Sequence, residues 1–280
     1  MTLVLAATPL GNPLDASARL KKAIESAEII AAEDSRRFHR LASDLEVTFT
    51  ARIISFFEGN EKERTAEILT LLREGKEVLV VTDAGMPTIS DPGFRLMRDA
   101  IAENLPTVVI PGPSAPTMAI ALSGLPTDRF TFEGFAPRAQ GARRAFYEKL
   151  RFEERTMVTF EAPHRLLESL IDAAAILGEN RKAAICREMT KRYEETIRGT
   201  IAELIVWAQS REILGEITLV ISGAGPLPET SAQDWVGLVA TRVEVGETQR
   251  DAIAAVAREL GVPKRDVYDA VLADQRQRKS

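Results

Sequence analysis

The chain has 280 residues, 45% hydrophobic and 28% charged, with a formal net charge of −5 at pH 7, which supports one large domain or two modest ones around a real core. Its single cysteine, Cys186, excludes an internal disulfide framework and any zinc site built from thiolates, and points to a reducing compartment, expected to be the cytoplasm. The acidic balance argues against wholesale coating of nucleic acid while leaving room for local basic patches, and no window approaches the ~18 uninterrupted apolar residues of a membrane span.

The first run, TLVLAA, reads as a buried strand rather than a signal peptide, because no basic leader precedes it. It ends in 8-TPLGNP-13, and a helix is expected over Ala16–Ser26. EIIAA is a second strand, ending in 33-EDSRR-37; ARIISFF is a third, followed by a charged helix over Glu61–Glu74. EVLVVTD runs into the loop 81-VTDAGMPTISDPG-93 and the helix 94-FRLMRDAIAEN-104. TVVI ends in 111-PGPSAP-116 and leads into the helix 115-APTMAIALSG-124. Continuous apolar strands alternating with helices predict an α/β fold with a mostly parallel sheet buried on both faces.

A second pattern starts near Arg129. FTFEGF, TMVTFEA, AAICRE, 193-YEETIRGT-200 and 215-GEITLVISG-223 read as strands. Helices are expected over 141-GARRAFYEKLRF-152, over 163-PHRLLESLIDAAAIL-177 with its proline in the first turn, and near Ile201–Ser210. The change of pattern at 124-GLPTDR-129 divides the α/β part into domains 1–125 and 126–225. The Pro-rich stretch 224-AGPLPETS-231 reads as a linker, and 232–280 as helical. In 249-QRDAIAAVAREL-260, Ile253, Val256, Ala257 and Leu260 form one face; Gly261 ends that helix, and Pro263 with Lys264 opens the next, a helix-turn-helix pattern.

In open parallel sheets ligands bind beyond the carboxyl ends of the strands. Four such ends carry Gly, Pro or charged loops: 8-TPLGNP-13, 33-EDSRR-37, 81-VTDAGMPTISDPG-93 and 111-PGPSAP-116. Such loops offer backbone groups on a pre-formed surface. Neither G-x-x-x-x-G-K-[ST] nor G-x-G-x-x-G after the first strand is present, so a triphosphate or dinucleotide is disfavoured. Asp83 and Asp91 alone are too sparse an oxygen set for a hard cation, and no metal is expected. An adenosine-type cofactor such as S-adenosylmethionine (SAM) fits these loops without being singled out by them.

TPLGN, AEDSRR, VTDAGMPTISDPG, IPGPSA, FEGFAPR, FEAPHR, REMTKRYEE and GEITLVI, in this order over almost the whole chain, resemble the motifs of the tetrapyrrole-methylase-like (class III) SAM-dependent methyltransferases. Within that family they are similar to the branch that acts on small-subunit ribosomal RNA. The usual family form has Thr at the positions of Ser35 and Met86. The resemblance implies a two-domain α/β fold with SAM in the cleft between domains, and a small C-terminal helix-turn-helix. It implies 2′-O-methylation of a cytidine ribose in the decoding region of 16S rRNA, with either that RNA or the assembled small ribosomal subunit as partner, and a homodimer. Carried over by position, it assigns cofactor contacts to Pro9, Gly85, Met86, Pro87, Ile89, Ser114, Ala115, Phe160 and Val220.

Methyl transfer to a ribose hydroxyl is mainly a positioning task, helped by a base. Asp34, Glu161 and His164 are the candidates, and neither spacing nor resemblance decides among them. Phosphate positioning is expected of the basic clusters Arg36, Arg37 and Arg40; Arg138, Arg143 and Arg144; and Lys264 and Arg265 with the tail Arg276, Arg278 and Lys279. Two other functions fit parts of the pattern: a methylase of the same fold acting on a corrin or porphyrin precursor, which needs neither basic clusters nor a helix-turn-helix, and a ligand-sensing DNA-binding regulator, disfavoured because KRDVYDAVLADQ is as acidic as basic.

Overall fold

The computed structural model describes residues 2–225 and 231–277. The chain divides into an α/β unit, residues up to 150 with 155–222, and a helical unit, 151–154 with the residues from 223 onward.

The first sheet is made of β1 (Thr2–Ala6), β2 (Ile29–Ala32), β3 (Arg52–Ser55), β4 (Glu77–Val81) and β5 (Thr107–Ile110), in the order β3-β2-β4-β1-β5. Every pairing is parallel, as continuous apolar strands demand. Successive side chains of a strand point to opposite faces: Leu3 and Leu5 enter one core with Ile68, Leu72 and Leu96, while Val4 and Ala6 enter another with Leu20, Ile24 and Phe38. The helices that cover these faces are α1 (Ala18–Ser26), α2 (Ser35–Asp44), α3 (Glu61–Arg73) and α4 (Phe94–Ala102). Because β4 and β5 flank β1, the loops that follow these three strands become neighbours at the carboxyl edge of the sheet.

The next helix, α5 (Ala115–Ser123), is apolar on all sides and behaves accordingly. It follows the first sheet in sequence but packs on the second, where Ala119 and Ile120 meet Val158, Ala184, Cys186 and Val220. That sheet has the order β6-β7-β10-β8-β9, with β6 (Phe130–Phe135), β7 (Thr156–Glu161), β8 (Lys182–Arg187), β9 (Glu195–Thr200) and β10 (Ile217–Ile221). Only β6 and β7 run parallel. Its other face is covered by α6 (Gln140–Lys149), α7 (Leu166–Leu177) and α8 (Ile201–Gln209), the last started by a capping box between Thr200 and Glu203. Cys186 is a buried free thiol pushed up to about 11 by burial, inert in the core.

The helical unit contains α9 (Ala232–Glu244), α10 (Gln249–Leu260) and α11 (Lys264–Gln277) around its own core of Val239, Ile253, Val256, Val267 and Val271. The expected helix-turn-helix pair is thus two-thirds of a three-helix assembly, with Gly261 in the left-handed region (φ 66°) ending α10. Most of the expected linker, 226–230, and the tail residues Arg278 and Lys279 lie outside the described residues. No helix among the described residues is long and apolar enough to cross a membrane.

Candidate functional site

The carboxyl edge of the first sheet opens into a cleft of about 390 Å³, within the usual range for small-molecule sites. One wall comes from the loops after β1, β2, β4 and β5, through Leu10, Glu33, Asp83, Gly85, Met86 and Ser114. The opposite wall comes from the second sheet, through Phe135, Phe160, Glu161, Met189 and Thr218.

The loops are locked to one another. Thr8 and Gly85 exchange backbone hydrogen bonds, N–H to O at 2.9 and 3.1 Å, and the Thr8 hydroxyl donates to the Thr82 carbonyl. Gly85 has φ 85°, and a Cβ there would lie 3.2 Å from the Leu10 side chain. At Gly112 a Cβ would lie 2.9 Å from that of Ala7, so the loops after β1 and β5 touch through a missing side chain. Phe160 stacks edge-on with Phe135, ring centres 5.3 Å apart, giving the far wall an aromatic surface.

Of the residues expected at the cofactor, Gly85, Met86, Ile89, Ser114, Ala115 and Phe160 line the cleft. Pro9 and Pro87 are buried and outside the lining, each next in sequence to a residue that lines it, Leu10 and Met86. Val220 is a correction: it is fully buried under α5, while Ile217 and Thr218 of the same strand face the cleft. The strand is covered on both faces, so the residues that reach the cleft are those at its start, not its middle.

Of the candidate bases, only Glu161 lines the cleft. Asp34 caps α2, accepting from the N–H groups of Arg36 and Arg37 at 2.8 and 3.3 Å, and its hydrogen bond from the Arg36 side chain holds its carboxyl below the ordinary range, a poor setting for a base. His164 is exposed in a short 3-10 turn (Pro163–Arg165), outside the cleft lining. Glu161 is buried; its Oε1 accepts from the Ala162 N–H at 2.8 Å and meets Arg165 Nη2 at 2.9 Å, while its Oε2 has no partner.

The basic clusters separate. Arg37 sits on the cleft wall, 3.1 Å from Asp83, and Arg36 and Arg40 are exposed on α2. Arg143, expected at substrate phosphate, is instead a core residue, 1% exposed, bonded through Nε to the fully buried Asp172 at 2.8 Å. Arg144 reaches the other oxygen of Asp172 at 2.8 Å, so its fork is engaged although the side chain is half exposed. An amphipathic sequence cannot distinguish an arginine that faces solvent from one that answers a carboxylate on the next helix. Lys264 and Arg265 are exposed at the start of α11, in the helical unit.

Sequence reading missed the acidity of the cleft. Glu33, Asp83, Asp91, Glu161 and Glu216 all line it, gathered from both sheets. Burial raises the carboxyls of Glu33 and Asp83, and burial together with Glu33, Asp83 and Glu216 pushes Asp91 up to about 7. Among the described residues no group of three or more His, Cys, Asp or Glu is arranged to hold a metal ion. The donor set suits a cationic ligand with an aromatic part. The acidic wall attracts positive charge, Met86, Ile89, Phe135 and Phe160 supply apolar contact, and Glu161 Oε2 is a buried acceptor in need of a donor. Ser114 heads α5 without spending its hydroxyl on the helix end. SAM, a sulfonium with an amine, hydroxyls and an adenine, matches each of these.

The profile of the tetrapyrrole (corrin/porphyrin) methylases matches residues 2–205. A relative from Mycobacterium tuberculosis named ribosomal RNA small subunit methyltransferase I is 47% identical over 276 residues, 98% of this chain and 96% of its own. A relative of the same name from Thermotoga maritima is 44% identical over 221 residues, 79% of this chain but 98% of its own. Among solved structures, a uroporphyrin-III C-methyltransferase from Thermus thermophilus, complexed with S-adenosylhomocysteine, aligns with a TM-score of 0.53 and 16% identity, covering 79% of this chain and 96% of that one.

Proposed function

We infer the activity from the premise that this chain belongs to the tetrapyrrole (corrin/porphyrin) methylases: it is a SAM-dependent methyltransferase, and its substrate is small-subunit ribosomal RNA. The observation that carries the RNA substrate is likeness over nearly the whole chain to relatives named for that activity. Likeness to the porphyrin methylase is low in identity and supports the fold alone. The regulator reading falls with the family, whose members are methylases.

The acceptor is a ribose 2′-oxygen of a cytidine in the decoding region, and the enzyme works in the cytoplasm on 16S rRNA or the small subunit that contains it. Bound SAM supplies an electrophilic methyl on a sulfonium. The chain supplies the rest. Gly85 lets the loop after β4 approach the ligand, and Met86, Ile89 and Phe160 enclose it. Ser114 and Ala115 present the head of α5. Arg36, Arg37 and Arg40 form an exposed basic stripe on α2 at the cleft edge, suited to phosphates. A homodimer is favoured by the exposed Val108 and Val109 on edge strand β5 and Ile101 on α4, and sedimentation equilibrium tests it.

Transfer of label from SAM to purified small subunits, followed by alkaline hydrolysis, tests the function. A 2′-O-methyl blocks cleavage at its own linkage, so a protected cytidine dinucleotide is expected. A labelled nucleotide that still cleaves carries its methyl on the base and overturns the ribose assignment.

A further inference from the structure

We propose that Tyr193, with Arg192 beside it, is a stacking platform for a base of the substrate RNA next to the acceptor nucleotide; the proposal rests on the ribosomal RNA reading above.

The loop between β8 and β9, residues 188–194, reaches the cleft. Met189 lines it, and Lys191 Nζ lies 3.0 Å from Glu216, another lining residue. The loop after β1 makes room for that lysine: a Cβ on Gly11 would collide with the Lys191 side chain, so the stem passes over bare backbone. Glu188 (φ 50°) and Thr190 (φ 66°) both sit in the left-handed region. Strain of that kind in residues with a side chain gathers at functional sites, where the surroundings enforce it. Here the enforcement is visible. The Glu188 carboxylate accepts from the Glu216 N–H at 2.9 Å and lies 2.9 Å from Lys191, and the Glu194 carboxylate accepts from the Thr190 N–H at 2.6 Å.

Arg192 and Tyr193 stand on this support. The Glu194 N–H donates to the Lys191 carbonyl at 3.1 Å, which makes them the two central residues of a tight turn, and both are exposed. The Tyr193 ring is 63% exposed, and the Arg192 guanidinium lies 5.6 Å from its centre. The neighbouring cations are engaged: Lys191 by Glu188 and Glu216, Arg187 and Arg211 by Glu195, and Arg198 by the Leu122 carbonyl. Among the described residues Arg192 has no acidic partner and the Tyr193 hydroxyl no hydrogen-bond partner. The turn therefore holds out one aromatic and one guanidinium plane that the fold itself does not use.

Charge names the occupant. Glu33, Asp83, Asp91, Glu161 and Glu216 make the cleft wall acidic, and such a wall repels phosphate near the reacting centre. RNA that enters there is best held by its neutral parts, the base faces. Unpaired bases are recognised by stacking on aromatic rings and on guanidinium planes. Tyr193 and Arg192 offer one of each, immediately beyond the lysine that bonds the cleft wall.

The test compares Tyr193→Ala and Tyr193→Trp with wild type in the full-length enzyme, with labelled SAM and purified small ribosomal subunits that lack the methyl. Tyr193→Ala should raise KM for the subunits about 5- to 150-fold, the worth of one stacked base, with kcat little changed. A stacked ring carries no charge, so the log–log salt dependence of subunit binding should keep its slope. Tyr193→Trp, whose ring also stacks, should stay within about three-fold of wild type. Tm and calorimetric affinity for S-adenosylhomocysteine should be unchanged in both, because the ring is neither buried nor part of the cleft lining. An unchanged KM in Tyr193→Ala, or a tryptophan variant as impaired as the alanine one, overturns the proposal. A loss that comes with a lower Tm, with weaker S-adenosylhomocysteine binding or with monomers in sedimentation equilibrium assigns the ring to the fold, the cofactor or a partner subunit, and overturns it as well. A wild type that methylates no ribosomal RNA overturns the underlying reading, and the proposal with it.

Discussion

Glu161 and Arg165 show how much of the site is decided one side chain at a time. The pair is buried, 1% and 14% exposed, and each partner keeps atoms unsatisfied: Oε2 of the glutamate, Nε and Nη1 of the arginine. Burying a charged acceptor without a donor is costly unless a ligand completes it. Glu161→Gln preserves the bond from Ala162 but loses the charge; if Oε2 receives a donor from SAM, S-adenosylhomocysteine affinity should fall about ten-fold or more, since a hydrogen bond to a charged group contributes about 1.5–3 kcal/mol. Equal affinity by calorimetry would remove Glu161 from the cofactor contacts. Asp172 gives the contrasting case, a buried charge with a purely structural task. Burial alone would raise its carboxyl, but hydrogen bonds from Arg144 and Arg143 outweigh that and leave it lowered. Its stabilisation is present above the unfolded value and is lost as pH falls through the lower folded one. Asp172→Ala leaves Arg143 buried without its partner and should cost about 3–5 kcal/mol in urea unfolding, with no specific loss of ribosome affinity in the protein that still folds. A variant as stable as wild type would mean that Arg143 finds solvent and is free for substrate after all.

At the scale of elements, the sequence was legible where pattern and burial agree. The central strands β1, β2 and β4 read as continuous apolar runs because both faces are covered, and α3, α4 and α5 begin at the residues where their pattern begins. The helix α2 hid behind its charge: SRRFHRLASD buries only Phe38 and Ala42, so no apolar stripe announced it, and Asp34 read as a candidate base when it caps the helix. Val220 was misplaced because a strand covered on both faces carries no mark of which end opens on the cleft. The acidity of the cleft was only partly legible: Asp83 and Asp91 share one loop, but Glu33, Glu161 and Glu216 stand far from it in sequence and join it only through the fold. The loop after β4 is where element and site coincide. Gly85→Val places a β-branched residue at φ 85° with its Cβ 3.2 Å from Leu10, beside the paired backbones of Thr8 and Gly85. The left-handed backbone alone costs about 1–2 kcal/mol, so Tm should drop and S-adenosylhomocysteine affinity should weaken about ten-fold or more. A Tm drop with unchanged affinity would show that this loop shapes the fold without touching the cofactor.

At the scale of the molecule, the α/β unit holds every residue that lines the cleft, and the helical unit has a core of its own. The Thermotoga maritima relative spans only 221 residues, about the length of the α/β unit, so a protein of that name exists without such an addition. A fragment ending at Ser222 should therefore fold and bind S-adenosylhomocysteine within about two-fold of the full chain, about 0.4 kcal/mol at most. What the helical unit adds is then a matter of its exposed charge. Arg242 is spent on Glu247 and Glu259, but Lys264 is exposed and Arg265 only loosely opposes Asp269 at 3.7 Å. If these cations grip phosphates, the fragment should show a raised KM for small subunits with kcat little changed. The log–log salt dependence of its binding should flatten by about one unit for each phosphate that is no longer gripped. Lys264→Ala and Arg265→Ala in the full chain should each reproduce about one unit of that change without loss of Tm, because neither side chain is buried. An unchanged KM and salt slope in both the fragment and the point variants would assign the helical unit to packing against a partner subunit, and leave the α2 arginines as the ribosome-facing charge.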